Sequence, residues 1–349
     1  MKISVEEALK LKDVIFIDVR TEDEFEEDNI LDAFNMPLFK NNEHKEVGTI
    51  YKMQGKNQAI EKGFEYVSYK LKDIYMQAMS LSNEYKNIVV YCARGGMRSG
   101  SIVSLLTSLG VNVYQLDGGY KAYRNYVIKY LKDIMETKQF IVVHGLTGVG
   151  KTDLLNMLEE KNIDNIDLEG IAQNSGSTFG FITFDKKPPK QKKFETKIFE
   201  KIFFSKTDYI FIESESKRVG HVLIPDDIYD GIVREGYHIL LECSIENRVK
   251  RLSKDYVYNK DEKNIEVLRN CINKFRKRLG HQKVDEYIKL LEEGKVEELV
   301  EKYLVEYYDP LYMHSVEKYK YNKVINFDNM DKALDEAIKF HKTATEGAI

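Results

Sequence analysis

Two short segments carry residue types at spacings that could do chemistry. In the first, an apolar run, Asn87-Ile88-Val89-Val90-Tyr91, delivers Cys92 into Ala93-Arg94-Gly95-Gly96-Met97-Arg98-Ser99, and helical apolar spacing follows through Ile102, Leu105, Leu106 and Leu109. A thiol there sits at a helix N-terminus, where unsatisfied amides, the helix dipole and the guanidinium groups of Arg94 and Arg98 favour a thiolate and hold a tetrahedral anion against it. Gly95 and Gly96 let the backbone amides turn inward, with Met97 and Ser99 completing the loop. A buried structural cysteine does not require two Arg and two Gly directly after it.

In the second segment, Gly145-Leu146-Thr147-Gly148-Val149-Gly150-Lys151-Thr152 fits G-x-x-x-x-G-K-[ST], between an apolar run, Phe140 to Val143, and a helical pattern, Asp153 to Glu160. That is the strand-loop-helix context in which the amides cradle phosphate, Lys151 spans two phosphates and Thr152 ligates Mg²⁺. The pattern does not choose among nucleotide, diphosphate and nucleic-acid phosphate. Acids at two further strand ends, Asp167 and Glu169 in one and Glu213 and Glu215 in the other, are candidates for a base or for Mg²⁺. His144 reads as a packed strand-end residue.

The elements that must position these loops are short β-branched runs alternating with helices. Val14 to Val19, Ile88 to Cys92, Phe140 to Val143, Tyr209 to Ile212, His238 to Cys243 and Val324 to Phe327 read as buried strands. Strands spaced by helices give an α/β fold with parallel sheets, whose ligands lie at strand ends. The 349 residues are enough for two cores, and we place a boundary near Met135, giving domains 1–134 and 135–349. Asn264 to Tyr308 reads as all-helical, and Lys186 to Lys193 as a loop broken by Pro188-Pro189.

Composition is globular, 43% hydrophobic and 32% charged, and 53 Lys+Arg against 57 Asp+Glu leaves a formal charge of −4. No global basic field announces nucleic acid, so any such site is a local patch. The candidates are Lys186, Lys187, Lys190, Lys192 and Lys193, with Arg269, Lys274, Arg276, Lys277 and Arg278 on a later helix; a plain solvated face is the competing reading. Three cysteines without CxxC spacing support neither a disulfide framework nor a zinc site. An acidic start and no long apolar run fit a cytoplasmic protein outside the membrane.

Phe16-Ile17-Asp18-Val19-Arg20 with Leu116-Asp117-Gly118-Gly119-Tyr120 resembles the rhodanese pattern. Single-domain sulfurtransferases of that family usually have a loop one residue shorter, whereas related phosphatases use the Cys-x5-Arg spacing seen here, which points to a phosphorus-centred anion. Asp18 and Arg20 read as a salt bridge bracing the loop. The whole motif set, including Val47-Gly48-Thr49-Ile50-Tyr51, Asp167-Leu168-Glu169-Gly170, Gly176-Ser177-Thr178-Phe179-Gly180, Glu213-Ser214-Glu215-Ser216 and Tyr307-Tyr308-Asp309-Pro310, resembles the tRNA 2-selenouridine synthase family. The chain departs from its pattern in two places: Ala93 stands where Trp is common, and Gln173-Asn174-Ser175 replaces a segment that usually carries His and Arg.

The resemblance implies a rhodanese-like domain fused to a P-loop domain, acting as a transferase on the wobble 2-thiouridine in the anticodon loop of tRNA. Selenophosphate is the selenium donor it implies, and geranyl diphosphate supplies a geranyl group that makes the sulfur a better leaving group. The enzyme that makes selenophosphate is then a candidate partner. On this reading Cys92 and its loop serve the selenium step and Gly145 to Thr152 hold the diphosphate; neither a requirement for ATP nor the identity of a metal follows. The competing readings are a sulfurtransferase or Cys-x5-Arg phosphatase fused to a P-loop kinase, and a binding module without catalysis.

Overall fold

In the computed structural model, residues 1–174, 187–257 and 262–347 are described. Internal contacts divide them into two units, residues 1–130 and 131–349. Each is built on its own five-stranded parallel sheet, as alternating apolar runs and helices require.

The first unit contains β1 (Lys2–Ile3), β2 (Val14–Asp18), β3 (Phe34–Asn35), β4 (Asn87–Tyr91) and β5 (Val113–Leu116), in the order β1-β5-β4-β2-β3. β2 and β4 pair in register from Val14 with Asn87 to Asp18 with Tyr91. That register sets the end of β2 beside the point where the chain turns into the cysteine loop. One core joins Ile17 and Val90, register partners on one face of the sheet, to Ile102 and Leu106 of the helix Met97–Ser108 packed on it, while Phe16, Val89 and Tyr91 are buried on the other face. Strands covered on two faces are continuous apolar runs rather than alternating ones.

The second unit contains β6 (Gln139–His144), β7 (Asn165–Ile166), β8 (Tyr209–Glu213), an antiparallel pair β9 (Arg218–Val219) and β10 (Val222–Leu223), then β11 (Tyr237–Glu242) and β12 (Lys323–Asn326). The main sheet runs β12-β11-β6-β8-β7, with β6 central. Its core includes Ile141, Val143, Leu154, Phe211 and Ile325. Helices between 262 and 308 form a satellite core around Ile272, Phe275, Tyr287 and Tyr303.

One expectation is corrected. The segment read as a loop through Lys193 ends at Lys190, and the helix Gln191–Phe203 begins at once. Pro188-Pro189 bars helix only before it; Lys190, extended at φ −71° and ψ 162°, holds the N-cap position without a side-chain cap, so Lys192 and Lys193 lie in the first turn. Lys186 and Gly176 to Gly180 lie outside the described residues. Among the described residues no helix is long and apolar enough to cross a membrane.

Candidate functional site

Cys92 follows β4 directly, and the helix Met97–Ser108 starts five residues later. The thiol is buried, with 3% exposure, and accepts a hydrogen bond from the Ser99 hydroxyl at 3.3 Å. Burial alone would raise its pKa; the Ser99 hydroxyl and the amides of Arg94, Ser99 and Gly96 outweigh that and bring the thiol below its ordinary value. The anion preference is thus held chiefly by amides and one hydroxyl. Arg98 pairs with Glu24 at 2.9 Å, and Arg94 is exposed. Gly119, at φ +59°, closes the loop from outside: a Cβ there would lie 2.3 Å from the Cys92 carbonyl oxygen.

Asp18 and Arg20 form the buried brace read from the sequence. Arg20 Nη2 lies 2.6 Å from Asp18 Oδ2 and also donates to the Asp28 carbonyl at 2.7 Å, with side-chain exposures of 4% and 0% for the pair. The Arg20 guanidinium stacks 4.0 Å from the Tyr120 ring centre, and the Tyr120 hydroxyl donates to Asp28 at 2.8 Å. Tyr120 in turn donates its amide to the Cys92 carbonyl at 2.9 Å. Arg20→Ala leaves a buried carboxylate unpaired, so the expected cost is about 3–5 kcal/mol, read by urea unfolding. An Asp18→Asn/Arg20→Met pair should lose clearly less, and equal losses would show that the charge pairing is not what stabilises the site.

The phosphate-binding loop joins β6 to the helix Lys151–Glu160. Gly150, at φ +107°, needs to be Gly twice over, because a Cβ would meet the Phe327 ring at 2.3 Å. Two arginines that sequence reasoning did not single out brace the loop from the helix Ile245–Val257. Arg248 donates to the Thr147 carbonyl at 3.0 Å and, through both terminal nitrogens, to Asp309; Arg251 donates to the Gly148 and Val149 carbonyls at 2.8 and 3.1 Å. Asp309 thereby gives the Tyr307-Tyr308-Asp309-Pro310 motif a physical task. The only sequence signal was the i, i+3 spacing of the two arginines.

Lys151 sits among carboxylates, 3.1 Å from Glu215 Oε1. Glu169, Glu213 and Glu215 place oxygens within 4.8 Å of one another. Glu213 is fully buried; its Oε1 accepts the Glu169 amide at 2.7 Å, while Oε2 has no hydrogen-bond partner. Burial and the adjacent charges push Glu169 up to about 8 and raise Glu213 well above the carboxylate range. A hard cation fits this all-carboxylate set and the orphaned oxygen. Asp167, the fourth candidate, instead caps the helix Leu168–Ala172 through the Gly170 amide at 2.7 Å. His144 is a packed residue as read, 2.8 Å from His238 and against the Tyr319 ring, with burial holding its pKa down near about 3.

The basic residues behave differently from one another. Arg269 pairs with Glu292, Arg276 with Asp285, and Arg278 donates to the Tyr307 hydroxyl. Lys187, Lys190 and Lys192 are exposed, and Lys193 is half-buried.

Comparison with known proteins follows the same two-part division. A family model described as the tRNA 2-selenouridine synthase AAA domain matches residues 138–344, and a rhodanese-like domain model matches residues 3–126. Curated proteins named tRNA 2-selenouridine synthase are similar along most of the chain. The one from Hydrogenovibrio crunogenus is 31% identical, covering 94% of this chain and 96% of that protein. The one from Pseudomonas putida is 34% identical over 88% and 90%. A crystal structure of the N-terminal domain of a Clostridium difficile 630 protein is 76% identical over 36% of this chain and 98% of that one, with a TM-score of 0.36.

Proposed function

The chain belongs to the tRNA 2-selenouridine synthase family, and from that premise we propose that it replaces the 2-thio sulfur of a wobble uridine in tRNA by selenium, in two steps served by two loops. The modules are taken as residues 1–134 and 135–349. In the first step the thio sulfur attacks C1 of geranyl diphosphate, the C1–O bond breaks, diphosphate departs and the base gives up its N3 proton. Gly145 to Thr152 hold the departing diphosphate through amides and Lys151. Glu169, Glu213 and Glu215, with Thr152, would hold Mg²⁺, which neutralises diphosphate charge when bound.

In the second step the Cys92 thiolate attacks the phosphorus of selenophosphate. The P–Se bond breaks, selenide leaves and displaces the geranyl thiolate at C2, and water hydrolyses the cysteinyl phosphate to phosphate and thiol. No oxidant or reductant is consumed. The amides of Arg94, Gly96 and Ser99, with Arg94 and Arg98, receive the tetrahedral anion. Lys186, Lys187, Lys190, Lys192 and Lys193, together with Arg269, Arg276 and Arg278, are the candidate tRNA phosphate contacts; the three arginines would exchange their present partners for phosphate.

The observation that carries this reading is one chain holding both a thiol made acidic by an amide cradle and a P-loop lysine set among three carboxylates. The test is nucleoside mass spectrometry of 2-thiouridine tRNA incubated with the protein, geranyl diphosphate and selenophosphate, omitting each donor in turn. 2-Selenouridine is expected with both donors and S-geranyl-2-thiouridine without selenophosphate. Unchanged tRNA would overturn the reading, and thiocyanate formation from thiosulfate or phosphatase turnover without tRNA would replace it with a small-molecule activity.

A further inference from the structure

Beside the phosphate-binding loop lies a cavity of about 1070 Å³, at the top of the roughly 300–1,000 Å³ range of small-molecule sites. Its walls come from the helix Ile245–Val257 and from the helices between 262 and 308, through Leu252, Ile265, Leu268, Ile272, Leu291 and Leu299. Two features tie it to the loop. Thr147, third residue of the loop, is itself part of the lining, and Leu252 packs so closely on Gly148 that a Cβ there would meet its side chain at 2.7 Å. The charged lining residues, Lys250, Lys254, Glu292, Lys295, Glu297 and Glu298, are all exposed, which leaves the protected walls mainly to aliphatic and tyrosine side chains, with the hydroxyls of Thr147 and Ser253 among them.

We propose that this cavity receives the apolar chain of a prenyl diphosphate whose phosphates lie on Gly145 to Thr152. The proposal rests on the reading of that loop as a diphosphate site. A diphosphate ester needs an anion cradle continuous with an apolar chamber, and the loop meets the cavity at Thr147 and Gly148. A purine base would need several fixed polar partners for its edge; the protected lining offers only hydroxyls, from Thr147, Ser253, Tyr303 and Tyr308, and no Asn, Gln, Asp or His lines the cavity among the described residues. Burying successive apolar carbons should therefore govern affinity, since apolar area removed from water is what such a wall rewards.

The experiment is calorimetric titration of the full chain with inorganic pyrophosphate, dimethylallyl diphosphate, geranyl diphosphate and ATP. Affinity is expected to rise at least about tenfold with each added five-carbon unit. Leu268→Trp and Val296→Phe, at half-buried positions on two different helices, narrow the cavity. Both should leave pyrophosphate binding unchanged within about twofold while reducing geranyl diphosphate binding by about tenfold or more. Retained pyrophosphate binding also shows that each variant is folded, and the chain-length series on the unaltered protein decides the matter if one is not.

Geranyl diphosphate binding no tighter than pyrophosphate, with pyrophosphate binding lost in Lys151→Ala, would overturn the cavity and keep the loop reading. Chain-dependent binding indifferent to Lys151→Ala would overturn the loop reading and keep an apolar site. ATP binding tighter than geranyl diphosphate and lost in both narrowed variants would assign the cavity to a nucleotide and overturn the proposal.

Discussion

Cys92→Ser protein should convert 2-thiouridine tRNA to its S-geranyl form at the normal rate and then stop, with selenium incorporation reduced by about 10³-fold or more. A serine hydroxyl keeps the Ser99 contact and the amide cradle yet is not ionised at neutral pH, so nucleophilic attack on phosphorus is lost while binding survives. Supplying the variant with pre-geranylated tRNA and selenophosphate isolates the step, and nucleoside mass spectrometry reads it. Selenouridine at the unaltered rate would remove Cys92 from the chemistry. The pH profile adds an independent check. The thiolate is the reactive form and the folded site lowers the thiol pKa, so the selenium step should still run below the ordinary thiol value of about 8.5 and fall only as the pH drops through the lowered pKa.

Much of this site was legible in the sequence because it depends on local spacing. Cys92 through Ser99 and Gly145 through Thr152 are contiguous, and each follows an apolar strand that needs no distant information to be read. Five of the six strands appeared as apolar runs because both their faces are covered; Val324 to Phe327 lies at the sheet edge with Val324 exposed, and showed through Ile325 and Phe327. Val113–Leu116 did not, since its two inner residues, Tyr114 and Gln115, are only half-buried and break the apolar run. Pairing between Lys2–Ile3 and Asn87–Tyr91 makes it a strand.

Long-range partners were the unreadable part. Arg98 looks like an anion ligand beside Cys92, yet its partner Glu24 lies 74 residues away. Arg248 meets Asp309 across 61 residues, and their joint support of the Thr147 carbonyl appears only when the helices pack. The carboxylates show the same divide. Asp167, Glu169, Glu213 and Glu215 were visible as acids at strand ends, but nothing in their spacing distinguished a helix cap from three oxygens crowded around one lysine.

Lys151→Ala is expected to have the opposite phenotype to Cys92→Ser: geranylation falls by about 10²–10³-fold, and selenium transfer to pre-geranylated tRNA continues. Lys151 does two things in the site. It offers the cation that spans diphosphate oxygens, and it offsets the charge of Glu169, Glu213 and Glu215, which is why those carboxylates hold its pKa above the ordinary lysine value despite burial. Removing it loses the phosphate contact and leaves the Glu215 carboxylate, its ion-pair partner, facing an incoming diphosphate anion. Lys151→Ala/Glu215→Gln, which removes that carboxylate, should therefore recover part of the binding without recovering the rate. That split separates the electrostatic from the catalytic contribution; recovery of both, or of neither, would show that they are not separable. Because the geranylated tRNA is a diffusible product, a mixture of Cys92→Ser and Lys151→Ala proteins should also make 2-selenouridine that neither makes alone. Failure of that mixture, with each half-reaction intact in its own assay, would mean that the intermediate must stay on one molecule between the two loops.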